Sequence, residues 1–504
     1  MKQVYTFHET VRGHLHILKE IPCEDFSASY SSEIGNYHIA IIADGHGSKE
    51  CFRSSFGSKA VTEVTIGCLK EFAESTLVSA ETEERFYHDM FSSPRYRQMT
   101  IRHLTDTIIA RWHDRVYDDY ETNPPSEEEM NGNSEKYADS SKIPHIYGTT
   151  LIAALLLPKC LIVLHQGDGR CEVFYDDGTV DQPVPWDDRC EDTTTTSMCD
   201  LDVSTSIRNC VINLMERNVV ACYLGSDGVE DAYRDTYEGI GGTHSLMGGV
   251  HTFYKDLTCQ IASMNTTEFE EYLCKMLPEF SEIGRFSRVG SGDDISVAGI
   301  VDVEEISKLV KQYQLDVKKY ALEEDLFWKE DELRGKMRKH GILQKRLNEA
   351  QNELDKKKEE QEQLKLQLEK LEQEHICVNQ QMSVAKKELD EYKQEVQNAK
   401  GVFGEARKIA TELQHFFESV ALGCNVREEE YRGLFSKSVR LGEQIRNLNK
   451  KSNDLEEELV ALENNLLEAK NIFEEYDQKY QAIDQARLRI VSDIAELDRD
   501  SEQE

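Results

Sequence analysis

The stretch HIAIIADGHG, residues 38–47, decides how this chain is read. A run of apolar and β-branched residues ends abruptly in Asp44-Gly45-His46-Gly47. The pattern predicts a buried strand followed by a glycine-bearing turn that carries a carboxylate. A strand interior is covered, so its end is where a charged group reaches solvent and a substrate. The same figure recurs along the chain, in TTLIAALLL (149–157), CLIVLHQGDG (160–169), VVACYLGSDG (219–228) and ISVAGIV (295–301). Asp168 and Asp227 follow two of these runs, Asp293 and Asp294 precede another, and Asp25 lies in PCEDFSASY (22–30).

Carboxylates at strand ends can converge on one end of a sheet system. Converged, they repel one another unless a cation sits among them. Hard oxygen ligands favour Mg²⁺ or Mn²⁺ over zinc. Two such ions can share a carboxylate, activate water and neutralise a phosphoryl group. Gly45 lets the backbone approach an ion with its carbonyl, and His46 titrates in the range suited to protonating a leaving alkoxide. Alone, an Asp-Gly pair is more often a turn, which is the expectation for Asp176-Asp177-Gly178.

Residues 56–120 read as mostly helical, with Val61, Val64, Leu69 and Phe72 periodic, and 121–145 as an exposed polar loop. The apolar stretch 151–164 is split by Pro158 and Lys159, so it reads as a hairpin of strands and not a membrane span. The chain of 504 residues carries a formal net charge of −36. Residues 1–300 hold 49 acidic and 25 basic groups, a net of −24. No basic stripe suits nucleic acid or an anionic membrane. The 13 cysteines contain no Cys-x-x-Cys pair, which argues against a disulfide framework or a structural zinc site. With no apolar leader at the N-terminus, the expectation is a cytoplasmic protein with free thiols.

All nine prolines lie at or before Pro278, and from about Val303 the composition shifts to Glu, Lys, Gln and Leu. The boundary is placed there: residues 1–302 as one domain, 303–504 as a helical region. Apolar residues step by 3 and 4 through two arms, about 343–396 and 441–497, which is the signature of a coiled coil. The first arm includes Leu347, Leu354, Val378 and Leu389, with Lys357, Gln361 and His375 as polar interruptions. The second includes Leu441, Leu455, Leu459 and Leu466, interrupted by Ser452 and Arg487. Each arm spans about 80–85 Å at 1.5 Å per residue. Matched arms around Gly401, Gly404, Gly423 and Gly433 suggest an antiparallel hairpin, with a parallel dimer as the competing geometry.

Taken in order, GHLHILKEIPCEDF (13–26), ADGHG (43–47), YGTTLIAALL (147–156), HQGDGR (165–170), GSDGVEDAY (225–233) and SGDDISVAGI (291–300) resemble the type 2C, or PPM-type, metal-dependent protein phosphatases. The resemblance covers roughly residues 10–301, and the opening segment is similar to a bacterial-type branch. It implies an α+β fold, a four-layer sandwich of two antiparallel β-sheets flanked by helices, with a dimetal centre at one end. By motif, Asp44 would bridge two Mn²⁺ or Mg²⁺ ions and Gly45 would offer its carbonyl. Asp227 and Asp293 would bind one ion, Glu24 and Asp25 the other, and Asp168 a weaker third ion together with Asp227. His46 would be the general acid, and Asp294 would support. Many members place an Arg four residues before the Glu-Asp pair to clamp phosphate; here that residue is Glu20, and His16 or Lys19 could substitute. The implied activity is hydrolysis of phosphoserine or phosphothreonine on a phosphoprotein, with the coiled coil binding a partner or a second copy. The alternative is a non-catalytic scaffold that binds phosphoproteins or senses metal.

Overall fold

The computed structural model describes residues 4–130, 137, 139–190, 194–233, 237–239, 242–244, 246–405 and 410–503. Two compact units are present, one made of 1–328 and 488–504 and the other of 329–487.

The first unit is built on two five-stranded antiparallel sheets, together with a two-stranded antiparallel pair, β10 (Tyr237–Gly239) and β11 (Gly242–His244). One sheet has the order β1 (Val4–Val11), β12 (Ile295–Asp302), β9 (Val219–Gly225), β6 (Arg170–Tyr175), β7 (Val180–Asp181). The other has the order β2 (Phe26–Ser31), β3 (His38–Ala43), β4 (Leu151–Leu157), β5 (Cys160–Gln166), β8 (Arg208–Asn213). Every residue of β3, β5, β9 and β12 is buried. That explains why these four read as continuous apolar runs: they are covered on both faces, one by the opposing sheet and one by helices. Ile42, Ile152, Val163, Cys222, Leu224 and Ala298 fill the space between the sheets. On the outer face of the second sheet, α2 (Ser54–Thr76), α3 (Ala80–Ser92) and α4 (Pro94–Thr122) pack through Val61, Leu69, Phe86, Ile108 and Trp112. On the outer face of the first, α7 (Leu246–Ser263) and α8 (Thr266–Ile283) pack through Phe253, Tyr254, Phe269 and Phe280. The four-layer α+β sandwich is therefore present. Short helices α1 (His14–Leu18), α5 (Val203–Ser206), α6 (Asp227–Glu230) and α9 (Val303–Ile306) lie between these elements.

The helical stretch 56–120 is three helices, because Ser79 and Ser93 each cap a new start. The loop expected over 121–145 is shortened by a 3₁₀ helix, Ser140–Tyr147, initiated by the Asp139 side chain on the Ser141 amide. Asp176-Asp177-Gly178 does form a turn, with Gly178 at φ 82°. Its amide donates to the Tyr175 carbonyl. No helix among the described residues is long and apolar enough to cross a membrane.

Two long helices follow, α10 (Val310–Glu405) and α11 (Ala410–Gln503). They are longer than the heptad arms. At the start of α10, Tyr313, Glu324 and Leu326 are buried within the first unit. Tyr313 meets Phe174 of β6 edge-on with ring centroids 5.7 Å apart. The apolar face therefore serves a globular core before it serves a helix seam. Gly423 and Gly433, expected between the arms, lie inside α11. A glycine in a helix costs about 1 kcal/mol, which a long helix absorbs. Gly401 and Gly404, together with the apolar segment around Leu413, Phe416 and Phe417, carry no description beyond their helical backbone.

Within the second unit the two helices run antiparallel. Cross-pairs descend on one helix as they rise on the other: His340 with Asp477 at 3.0 Å, Lys357 with Glu458 at 3.3 Å, His375 with Ser438 at 3.2 Å and Glu388 with Arg427 at 2.6 Å. Leu354, Leu455, Leu459 and Leu466 bury together, with Leu347, Ala350 and Leu462 beside them. Lys357 and His375, two of the three polar interruptions of the first arm, each find a partner on the facing helix. Leu459→Ala is expected to destabilise this pair by about 2 kcal/mol, whereas Leu467→Ala, 59% exposed, leaves it within about 0.5 kcal/mol of wild type. Circular-dichroism melts of the full chain read both; equal melts would contradict the burial.

Candidate metal centre

Antiparallel pairing brings the acidic residues to one end of the sandwich. Phe26 pairs with Ala43, so Asp25, before β2, lies beside Asp44, after β3. Gly225 pairs with Val297, so the turn after β9 lies beside the start of β12. Leu151 pairs with Gln166, which places Asp168 at the same pole.

Among the described residues three clusters form there, and in each one ligand atom per residue lies within 4.8 Å of the others. They are Asp44, Asp168 and Asp227; Asp227, Asp231 and Asp293; and His16, Asp293 and Asp294. Asp227 joins the first two and Asp293 the last two. Asp25 lies beside the Ser226 and Asp44 side chains. Its Oδ2 is buried without a hydrogen-bond partner.

The backbone around Asp44 is fixed from β4. Thr150 Oγ1 accepts from the Asp44 amide at 3.0 Å. The Asp44 carbonyl in turn accepts from the Thr150 amide at 2.8 Å and from Thr149 Oγ1 at 2.9 Å. Gly45 is needed for close approach, since a Cβ there would sit 2.5 Å from the Glu24 carbonyl oxygen. Glu24 accepts from Ser54 Oγ at 2.6 Å through its side chain and from Ser58 Oγ at 2.6 Å through its carbonyl.

Asp294 is the hub behind the site. Its buried carboxylate accepts from the Gly13 amide at 2.6 Å, the Glu24 amide at 2.7 Å and His16 Nδ1 at 2.9 Å. It thereby ties α1, the Glu24-Asp25 segment and β12 together. His16 turns its other ring nitrogen to Asp293 at 3.4 Å. Lys19 is exposed at the end of α1, and Glu20, in the position of the usual clamp arginine, is exposed with φ 58°. Arg12, given no role in the sequence, donates to the His16 carbonyl at 2.9 Å.

His46 donates its amide to the Gly148 carbonyl at 3.1 Å. Burial, and secondarily the neighbouring His145, lower its pKa to about 4, so it is neutral at pH 7.

The carboxylates shift the other way. Burial, then the charges of their neighbours, holds Asp44 and Asp227 well above the usual carboxylate range. Burial, then Asp294, pushes Asp25 up to about 7. Burial, then Glu230, pushes Asp231 up to about 6. Burial also raises Glu24 and Asp168. An all-oxygen donor set whose members resist ionising together, with one oxygen unpartnered, fits a hard divalent cation.

A pH dependence follows. A folded pKa raised above the unfolded value contributes stability at low pH that is lost as pH rises through it. For Asp25 this window runs from 3.8 to about 7. The melting temperature of metal-free protein is expected to fall between pH 5 and 8, and saturating Mn²⁺ to flatten the fall. Scanning calorimetry across that range checks it; a metal-free melting temperature that rises with pH would contradict it.

Asp231 was missed in the sequence although it stands in the quoted GSDGVEDAY. The signal was its spacing from Asp227: four residues apart on a helical turn, two carboxylates share a face.

The family model for protein phosphatase 2C matches residues 12–277, about half of the chain. This chain belongs to the protein phosphatase 2C family. Asp293 and Asp294 lie beyond the matched range, so their place in the site rests on the geometry above. Solved structures similar to it include the serine/threonine phosphatase Stp1 from Staphylococcus aureus, 15% identical over 60% of this chain and 95% of that one, TM-score 0.32. The S. agalactiae serine/threonine phosphatase is 14% identical over 59% of this chain and 99% of that one, TM-score 0.34. PppA, a T6SS regulatory component of Pseudomonas aeruginosa, is 13% identical over 59% and 97%, TM-score 0.33. No curated protein sequence matches the chain.

Proposed function

We propose that this protein is a metal-dependent protein serine/threonine phosphatase, acting on phosphoserine and phosphothreonine in a phosphoprotein. The observation that carries this reading is the convergence of Asp44, Asp168, Asp227 and Asp293 from separate strand ends, joined by Asp231 at the end of α6, with Asp227 and Asp293 each shared between two clusters. That Asp44, Asp168, Asp227 and Asp293 cluster in this way supports the catalytic reading over a scaffold.

Bound Mn²⁺ or Mg²⁺ supplies an acidified water and neutralises phosphoryl charge. The residues proposed to hold the ions are Asp44 with the Gly45 carbonyl, Glu24 and Asp25 on one side, Asp227 and Asp293 with Asp231 on the other, and Asp168 with Asp227 at a further position. Asp294 positions Glu24 through its amide and takes no part in the reaction itself. His46 is the proposed proton donor. A dianionic phosphoryl group beside it raises its pKa, which is the direction that general-acid work requires. With both ring nitrogens of His16 turned to Asp293 and Asp294, the exposed Lys19 just after α1 is the residue proposed to meet phosphate.

Residues 1–302 are the phosphatase domain and 303–504 a coiled-coil region that binds a protein partner or a second copy. The chain works in the cytoplasm, on protein and not on nucleic acid or membrane. A phosphopeptide panel tests the central part. The full chain with Mn²⁺ should release phosphate from phosphoserine and phosphothreonine peptides. Hydrolysis confined to small phosphate monoesters would overturn the protein-substrate assignment.

A further inference from the structure

Thr149 and Gly167 lie just beyond the paired ends of β4 and β5, Leu151 and Gln166, on the side of the metal centre. One short stretch of irregular backbone, Thr196-Ser197, reaches both. Its two side chains are buried, Thr196 at 4% and Ser197 at 3% exposure. A hydroxyl taken out of water is costly unless it finds partners. These two find them on backbone that leads to two different carboxylates.

Ser197 serves the Asp44 side. Its Oγ accepts from the Thr149 amide at 3.2 Å and donates to the Thr149 carbonyl at 3.1 Å. The Met198 amide donates to the same carbonyl at 2.8 Å. Both backbone groups of Thr149 are thereby held, and its own Oγ1 donates to the Asp44 carbonyl at 2.9 Å. Thr149 also stands opposite Gly45 in a backbone bridge.

Thr196 serves the Asp168 side. Its Oγ1 accepts from the Gly167 amide at 3.1 Å and meets Asp187 Oδ2 at 3.5 Å. Arg208 Nη2 donates to the Gly167 carbonyl at 2.6 Å. Gly167 has φ 112°, a backbone that glycine takes readily and other residues do not, and it immediately precedes Asp168. With both backbone groups engaged, that conformation is fixed, and with it the direction in which Asp168 leaves the strand. The stretch is itself anchored. Asp200 Oδ2 accepts from the Ser197 amide at 2.8 Å, and Gln166 Nε2 donates to the Ser197 carbonyl at 3.2 Å.

We infer that Thr196 and Ser197 are positioning residues that set the separation of Asp168 from Asp44, and through it the affinity for the ion these acids share with Asp227. The three carboxylates have ligand atoms within 4.8 Å of one another. Acids so close push one another apart. Two adjacent residues that hold opposite strand ends oppose that spread, because a shift of one acid is resisted by the hold on the other. The inference rests on the metal centre of the proposed function and not on which phosphate ester is cleaved.

Electron paramagnetic resonance of free Mn²⁺, titrated with the full chain, tests it without turnover. Ser197→Ala and Thr196→Val should each bind Mn²⁺ about tenfold or more weakly, the range for outer partners of metal ligands. Thr196→Ser keeps the hydroxyl and should bind as wild type. Leu459→Ala, in the helical pair, lowers the melt and should also bind as wild type, which separates a lost hold on the acids from lost stability. Wild-type Mn²⁺ affinity in both Ser197→Ala and Thr196→Val would overturn the inference and leave the metal centre standing. Equal weakening in Thr196→Ser and Thr196→Val would overturn it too, since the hydroxyl would then be idle. Where circular dichroism shows that one hydroxyl-free variant does not fold, the other decides; failure of both gives the stretch a structural role and overturns the inference. No Mn²⁺ bound by wild type would overturn the metal centre itself, and the inference with it.

Discussion

Asp44→Asn protein is expected to release phosphate from a phosphothreonine peptide at least about a hundredfold more slowly than wild type, since even outer partners of metal ligands cost 10–100-fold. It should fold as well as wild type or better. In the metal-free protein the Asp44 carboxylate is held well above its ordinary range by burial and by Asp227 and Asp25, so its charge opposes folding at neutral pH. The amide removes that charge. The backbone bonds of Asp44 to Thr149 and Thr150 do not involve the carboxylate and survive. Loss of activity should therefore come with a metal-free melting temperature equal to or above that of wild type, and with a smaller rise on adding Mn²⁺. A variant that loses activity because it melts several degrees lower would point to a structural role instead.

Gly228→Ala is expected to be the most damaging change of a single methyl group at the site. A Cβ there would lie 2.0 Å from the Asp294 carbonyl oxygen, backbone that cannot swing aside as a side chain can. Moving it displaces Asp293 and the Asp294 hub, which also holds Gly13, His16 and Glu24. Overpacking of this kind costs about 3 kcal/mol. A thermal melt should show the loss, and phosphate release should fall with it because the ligand positions move. Wild-type melting and wild-type rate in Gly228→Ala would contradict the close packing of α6 on the start of β12.

The centre of the site was legible because buried apolar strands and the acids that end them leave opposite marks on a sequence. Asp44, Asp168 and Asp227 follow apolar runs, and those runs are β3, β5 and β9. The strands without that mark were harder to read. β1, β2 and β8 keep a partly exposed face and carry Thr, Ser, Asn and Arg among their apolar residues. Asp294 looked like a minor neighbour of Asp293, since nothing local says that its carboxylate gathers amides some 270 and 281 residues away. Such a hub exists only once α1 and β12 are folded together. The helical region shows the same limit. The heptad arms marked where two helices face each other, but not where the helices begin, because the start of α10 turns its apolar residues to a globular core.

The central claim is that catalysis by this chain depends on divalent ions held by the strand-end carboxylates. Phosphate release from a phosphothreonine peptide by the full chain, followed as Mn²⁺ is titrated in after removal of all divalent ions, tests it most directly. No release in excess chelator and a saturable rise to full rate with Mn²⁺ is the predicted result. Full activity in excess chelator would contradict it.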